Sequence, residues 1–223
     1  IAYYLPEISI SNEKLIEEFP EWTVGKIASK VGVNNRHVAG EQETASDMAV
    51  AAANNLFTVD SDIRREDIDF VLFCTQSPDY FLPTSACLIQ DRLGLRTNIG
   101  AIDFNLGCSG YVYGLAIAKG LITGRIAKNV LLLTAETYSK YLHPRDKGNR
   151  TIFGDASSAS VISTDGFVEI GEFSLGTDGK GADNLIVRTG ASRKKEAEND
   201  LSFYENGNPV SSDYLYMDGT EIF

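Results

Sequence analysis

Histidine is nearly absent from this 223-residue chain. Only His37 and His143 occur, they do not stand at ligand spacing, and there is no Cys-x-x-Cys pair, so no metal site is expected. Basic side chains are also short: 20 Lys and Arg face 31 Asp and Glu, a net charge of −11. That balance excludes a general nucleic-acid binder, because phosphate binding needs a basic face. No apolar run approaches ~18 residues, so no membrane span is expected. Three widely spaced cysteines, an odd number, do not build a disulfide framework and fit reduced thiols in a cytoplasmic protein. No leader pattern opens the chain, yet Ile1 is not methionine and Ala2-Tyr3-Tyr4-Leu5 reads as the inside of a strand, so further residues are expected ahead of it.

What remains is an ordinary globular composition, 43% apolar and 23% charged, with enough chain for a substantial core. Ser11 is a fitting N-cap for a short helix that Pro20-Glu21-Trp22-Thr23 ends, and a second helix carries Val24, Ile27, Ala28 and Val31. The Ala-rich run from Met48 to Leu56 is a strong helix former that can pack closely on a sheet. Phe70–Cys74 and Asn129–Glu136 are apolar without alternation, the pattern of central strands covered on both faces. Asn98–Phe104 reads as another strand, Thr84-Ser85 as the cap of a helix that stops at Gly94, and further strands are expected around Phe167–Leu175 and Leu185–Arg188. Strands alternating with helices predict an α/β fold with a mostly parallel sheet.

The chain turns on Asp103-Phe104-Asn105-Leu106-Gly107-Cys108-Ser109-Gly110, a buried strand running into a sharp turn with Cys108 where a helix to about Gly124 begins. Unpaired N–H groups and the positive end of the helix dipole favour a thiolate there. Cys108 is therefore a candidate nucleophile, with Gly107 and Gly110 expected to leave room for a substrate carbonyl. A packing cysteine at a tight strand-to-helix turn is the competing reading. Cys74 and Cys87 read as packing residues. His37 reads as a local hydrogen-bonding group, Trp22 as a ring covering a core edge, and His143–Arg150 as a solvated connection that is also the best local anion patch in an acidic chain. Residues 191–200 read as a mobile polar excursion. Thr220-Glu221-Ile222-Phe223 starts a helical pattern that does not repeat, so more chain is expected beyond it.

In this order Tyr4-Leu5-Pro6, Glu21-Trp22, Gly32-Val33 with Arg36-His37, Cys108-Ser109-Gly110, Phe153-Gly154-Asp155 and Met217-Asp218-Gly219 resemble ketoacyl-acyl carrier protein synthase III, of the thiolase-like superfamily. The resemblance covers essentially all residues. It implies a layered thiolase-like fold of two pseudo-repeated halves. Residues 1–223 would be the amino-terminal one, with excursions near 137–155 and 176–215.

The resemblance also implies that Cys108 accepts an acyl group from acyl-CoA or acyl carrier protein. A carbanion from malonyl-acyl carrier protein then attacks it after loss of CO2, giving a 3-oxoacyl product, with acyl-CoA a substrate and no resident cofactor. It puts Trp22 on the adenine of coenzyme A, Lys147 across the ring, Lys30 near the CoA phosphates and Gly219 at the cofactor entrance. Lysine at positions 30 and 147, where arginine is common in the family, replaces a planar group by a point charge. Leu82 would close the acyl tunnel of a partner subunit and admit longer or branched chains, with Phe153 and Met217 lining the site. A homodimer is implied with Asn98–Phe104 at its interface. The histidine and asparagine that stabilise the enolate come from the second half of family members, and neither His37 nor His143 lies in the matching motif, so condensation by these residues alone is not expected. Other thiolase-like acyl transfer, as in hydroxymethylglutaryl-CoA synthase, and a non-catalytic partner subunit are the alternatives.

Overall fold

The two unbroken apolar runs become neighbouring parallel strands at the centre of a five-stranded sheet. The computed structural model describes residues 1–59, 62–166 and 168–222. In chain order the elements are β1 (Ala2–Tyr4), β2 (Ile8–Ser11), α1 (Asn12–Glu18), α2 (Val24–Val31), β3 (Asn35–Val38), α3 (Ala45–Val59), β4 (Phe70–Cys74), α4 (Ser85–Arg92), β5 (Gly100–Phe104), α5 (Gly110–Thr123), β6 (Asn129–Glu136) and β7 (Ala156–Ser163). Four two-residue strands follow, β8 (Leu185–Ile186), β9 (Ser202–Phe203), β10 (Pro209–Val210) and β11 (Tyr216–Met217), then the single turn α6 (Gly219–Ile222). These residues fall into two compact units.

The first unit holds Ile1–Ile8, His37–Thr137 and Asp155–Leu175. Its sheet runs β1-β7-β6-β4-β5, with β4 parallel to both β5 and β6 and with β7 antiparallel to β6 and β1. One strand, β7, therefore runs against the other four. Alternate residues of β4 and β6 feed two cores. Val71, Phe73, Leu131 and Leu133 pack with Met48, Ala49, Ala52 and Ala53 of α3 and with Ala86 and Ile89 of α4. Leu72, Val130 and Leu132 pack with Ala118 and Leu115 of α5 on the other face. The result is a helix–sheet–helix sandwich, and it explains why neither strand alternates in polarity: both faces are covered. The mixed, mostly parallel α/β architecture expected from the sequence is present.

Four local expectations need correction. Thr84 makes no side-chain cap on α4; the Asp103 carboxylate does, accepting from Ser85 N at 2.6 Å and Ala86 N at 2.7 Å. A carboxylate there satisfies two N–H groups and complements the dipole, which a hydroxyl cannot match. No strand forms over residues 168–175; Phe167, where that strand was to begin, lies outside the described residues. Lys119 Nζ donates to the carbonyls of Ile170 and Gly171, both at 2.7 Å, in place of a neighbouring strand. The strand expected over Leu185–Arg188 is limited to β8, and that over Asn98–Phe104 begins at Gly100.

The second unit holds Ser9–Arg36, Tyr138–Gly154 and the residues from Gly176 onward. Ser11 and Thr23 cap α1 and α2 through Lys14 N and Lys26 N, as the sequence predicts for Ser11. Leu15, Phe19 and Ile27 form a small core with Trp22 against it. Arg36 is buried, and burial pushes its pKa below the usual value. It donates to Thr151 O through Nη2 at 2.7 Å and to Asn12 Oδ1 through Nη1 at 2.7 Å, tying the loop before Phe153 to the start of α1. The excursion expected to be mobile is held internally, since Asp213 accepts from Glu198 N and Asn199 N, each at 2.9 Å. The terminal helical turn is present as α6, with Phe223 outside the described residues.

Candidate active site

The parallel strands β4, β5 and β6 end at one edge of the sheet, and the chain leaving β5 reaches Cys108 within four residues. Cys108 is exposed, two positions before the first residue of α5. The turn closes by Gly110 N donating to Gly107 O at 2.8 Å. Ser109 is the N-cap but its side chain makes no capping bond, and the first turn of α5 carries no acidic residue. A thiol is thus presented at the positive end of a 14-residue helix without a competing carboxylate in that turn.

Glycine also has a packing reason at the start of α5. A Cβ on Gly110 would collide with Cys74 Sγ, and one on Gly114 would lie 2.6 Å from Leu132 Cδ1. Glycine therefore lets α5 sit directly on β4 and β6. Cys74 is buried, its Sγ donates to Leu106 O at 3.1 Å, and burial with the nearby Glu136 charge pushes its pKa up to about 11. It stays a thiol and serves packing, as the apolar run predicts. Cys87 donates to Thr84 O, and His37 Nδ1 lies 2.6 Å from Pro6 O, so it acts locally.

Behind the turn is a polar network that sequence reasoning missed. Glu136, the last residue of β6, accepts from Gln76 N at 2.8 Å on one carboxylate oxygen and from Ser77 Oγ at 2.9 Å on the other. Ser77 Oγ in turn accepts from Thr137 N at 2.9 Å. The segment leaving β4 then grips the segment leaving β5: Thr75 N donates to Phe104 O at 3.2 Å and Gln76 Nε2 to Asn105 Oδ1 at 3.1 Å. Burial, helped by the charge of Asp155 and opposed by the two donors, pushes the Glu136 pKa up to about 7. The available signal was one carboxylate closing an otherwise apolar central strand at the edge where α/β sheets place ligands.

The other candidates fall into two groups. Leu82 belongs to the first unit, in an exposed stretch with Tyr80 and Phe81. Trp22, Lys30, Lys147, Phe153, Met217 and Gly219 belong to the second. There the cation over the Trp22 ring is Lys26, 4.6 Å from its centroid. Lys147 Nζ pairs instead with Glu21 Oε1 at 2.7 Å and donates to Asn206 O at 2.6 Å. Arg150 pairs with Glu18, and Arg145 stacks on Phe203, so the loop read as an anion patch spends much of its charge internally. Lys30 lies in the last turn of α2, Phe153 stacks on Tyr138 at 5.2 Å, Met217 ends β11 and Gly219 opens α6. Among the described residues no cluster of metal-binding side chains occurs, and no helix is long and apolar enough to cross a membrane.

A family model described as 3-oxoacyl-[acyl-carrier-protein (ACP)] synthase III matches residues 102–179, the stretch that contains Cys108. The chain is 35% identical over 221 residues to a β-ketoacyl-[acyl-carrier-protein] synthase III of Clostridium perfringens, covering 99% of this chain and 64% of that protein. It is 38% identical over 201 residues to one of Clostridioides difficile, covering 89% and 60%. A crystal structure of 3-oxoacyl-(acyl-carrier-protein) synthase III superposes with a TM-score of 0.94 at 49% identity, over 99% of this chain and 66% of that one. The chain thus spans about three-fifths of the length of these curated relatives.

Proposed function

This chain belongs to the 3-oxoacyl-[acyl-carrier-protein] synthase III family, and on that premise we propose that it carries the acyl-accepting part of a condensing enzyme of lipid synthesis. The observation that carries the reading is Cys108, exposed at the uncapped N-terminus of α5 where β5 ends. The Cys108 thiolate attacks the carbonyl of an acyl-CoA or acyl carrier protein thioester. The carbon–sulfur bond to the carrier breaks, the carrier leaves as its own thiolate, and Cys108 holds the acyl group as a new thioester. Exchange between thioesters is nearly isoenergetic, so a good nucleophile and a fixed carbonyl suffice.

In the second step a malonyl thioester loses CO2 and its carbanion attacks the acyl carbon, releasing Cys108 and a 3-oxoacyl product. Enolate stabilisation is proposed to depend on groups other than the two histidines here. His37 is committed to Pro6 O, and His143 is held edge-on by Tyr214 and Phe203. A cytoplasmic location is proposed along with these substrates.

For a CoA donor the proposed contacts are Trp22 for the adenine, with Lys26 and Lys30 for phosphates, since Lys147 is paired with Glu21. Phe153, Met217 and Gly219 are proposed on the substrate side. Trp22→Ala should lower the rate of thiol release from acyl-CoA several-fold while sparing an acyl carrier protein donor; equal loss with both would remove Trp22 from the nucleotide role. Assembly as a homodimer is proposed through β5, which is the edge strand of its sheet and exposes Ile102, with Leu82 reaching the partner's acyl tunnel. Ile102→Asp should then give monomers in sedimentation, and an unchanged dimer would move the interface elsewhere.

A further inference from the structure

Among the described residues Cys108 makes no hydrogen bond to the sheet; its position is inherited from residues 104–107. Besides the Gly110 N to Gly107 O bond that closes the turn, three side-chain and backbone bonds from the end of β4 hold that segment, namely Cys74 Sγ on Leu106 O, Thr75 N on Phe104 O and Gln76 Nε2 on Asn105 Oδ1. The residues leaving β4 are in turn fastened to β6 by the Glu136 carboxylate, which takes Gln76 N and Ser77 Oγ on separate oxygens. The path from Glu136 to the nucleophile therefore crosses three adjacent parallel strands at their carboxyl ends, in the order β6, β4, β5.

We propose that Glu136 is the positioning residue for Cys108: its two-oxygen grip on Gln76 and Ser77 fixes the turn that presents the thiol. This rests on Cys108 being the nucleophile. An ionised carboxylate accepts from both donors, whereas protonation turns one oxygen into a donor, so its contact with Gln76 or Ser77 must rearrange. The charge that acts on Glu136 is that of Asp155, just before β7, while Cys74 at the end of β4 stays a neutral thiol; burial together with Asp155 brings the Glu136 titration to about 7. Loosening of the turn near neutral pH follows from that geometry, and with it a dependence of Cys108 reactivity on a second titration besides its own.

The test is alkylation of Cys108 by iodoacetamide, followed on its own peptide by mass spectrometry from about pH 5 to about pH 9, a range centred on the Glu136 titration. Wild type should show a rate profile with an added inflection near 7. Glu136→Gln, which offers one acceptor and one donor, should lose that inflection and react about tenfold more slowly above it, the scale of one lost charge-assisted hydrogen bond. Glu136→Asp, which keeps the charge, should retain the inflection. A Glu136→Gln profile that superposes on wild type overturns the proposal. Should that variant not fold, a wild-type profile with a single thiol titration overturns it equally. Alkylation needs no acyl donor, so a chain that alkylates as described but accepts no acyl group defeats the condensing reading and leaves this one standing.

Discussion

Cys74 Sγ occupies the space that a Cβ on Gly110 would need, and the same thiol donates to Leu106 O at 3.1 Å. One buried sulfur thus sets both the approach of α5 to the sheet and the path of the chain toward Cys108. Gly110→Ala should destabilise the fold by about 1–3 kcal/mol through overpacking. In a Cys74→Ala background the same change should cost about 1 kcal/mol less, because the colliding atom is gone. Thermal melts of the four proteins give the coupling directly, and equal costs in both backgrounds would show that the contact is not what requires glycine.

Asp103 should matter more to α4 than the residue at its N-cap. Asp103→Ala leaves Ser85 N and Ala86 N without their acceptor and should cost about 2 kcal/mol, with Asp103→Asn losing less. Thr84→Ala, whose hydroxyl accepts only Asp103 N at 3.2 Å, should cost under about 1 kcal/mol. Denaturant unfolding decides, and the reverse order would return the cap to Thr84.

Glu136 also sets a pH dependence of stability. Its folded pKa, about 7, lies above the ordinary carboxylate value, so between about pH 4.5 and pH 7 the native state binds more protons than the unfolded one. Its contribution is complete below the unfolded pKa and is lost as pH rises to 7. Relative to Glu136→Gln, wild type should lose up to about 3 kcal/mol across that window and nothing further above it. Melting temperatures against pH for the pair measure this difference, which cancels the opposite trend of carboxylates such as Glu18, held low by Arg150. A constant difference would show that Glu136 does not titrate there.

What was legible in the sequence was whatever one strand or helix states alone. The apolar runs of β4 and β6, the Ser11 cap, the alanines of α3 and the placement of Cys108 before a helix each follow from local chemistry. Pairings between distant residues were not legible. Nothing near Thr84 says that Asp103 will cap its helix, and residues 168–175 do not announce that Lys119 will take two of their carbonyls. At the candidate site the nucleophile was visible because its logic is a helix terminus. Glu136 was hidden because its partners, Gln76 and Ser77, lie some 60 positions earlier. Lys147 shows the same limit: its pairing with Glu21 spans 126 positions, and only the fold brings that acid to it.

The central claim is that Cys108 accepts the acyl group. Incubation of the chain with an acyl-CoA, and separately with an acyl carrier protein thioester, followed by intact and peptide mass spectrometry, measures it. One acyl mass should appear on the peptide containing Cys108, and Cys108→Ser should gain none under the same conditions, with Cys74 and Cys87 unmodified in both. Wild type without an acyl adduct, or a Cys108→Ser protein carrying as much as wild type, would contradict the assignment of Cys108 as nucleophile.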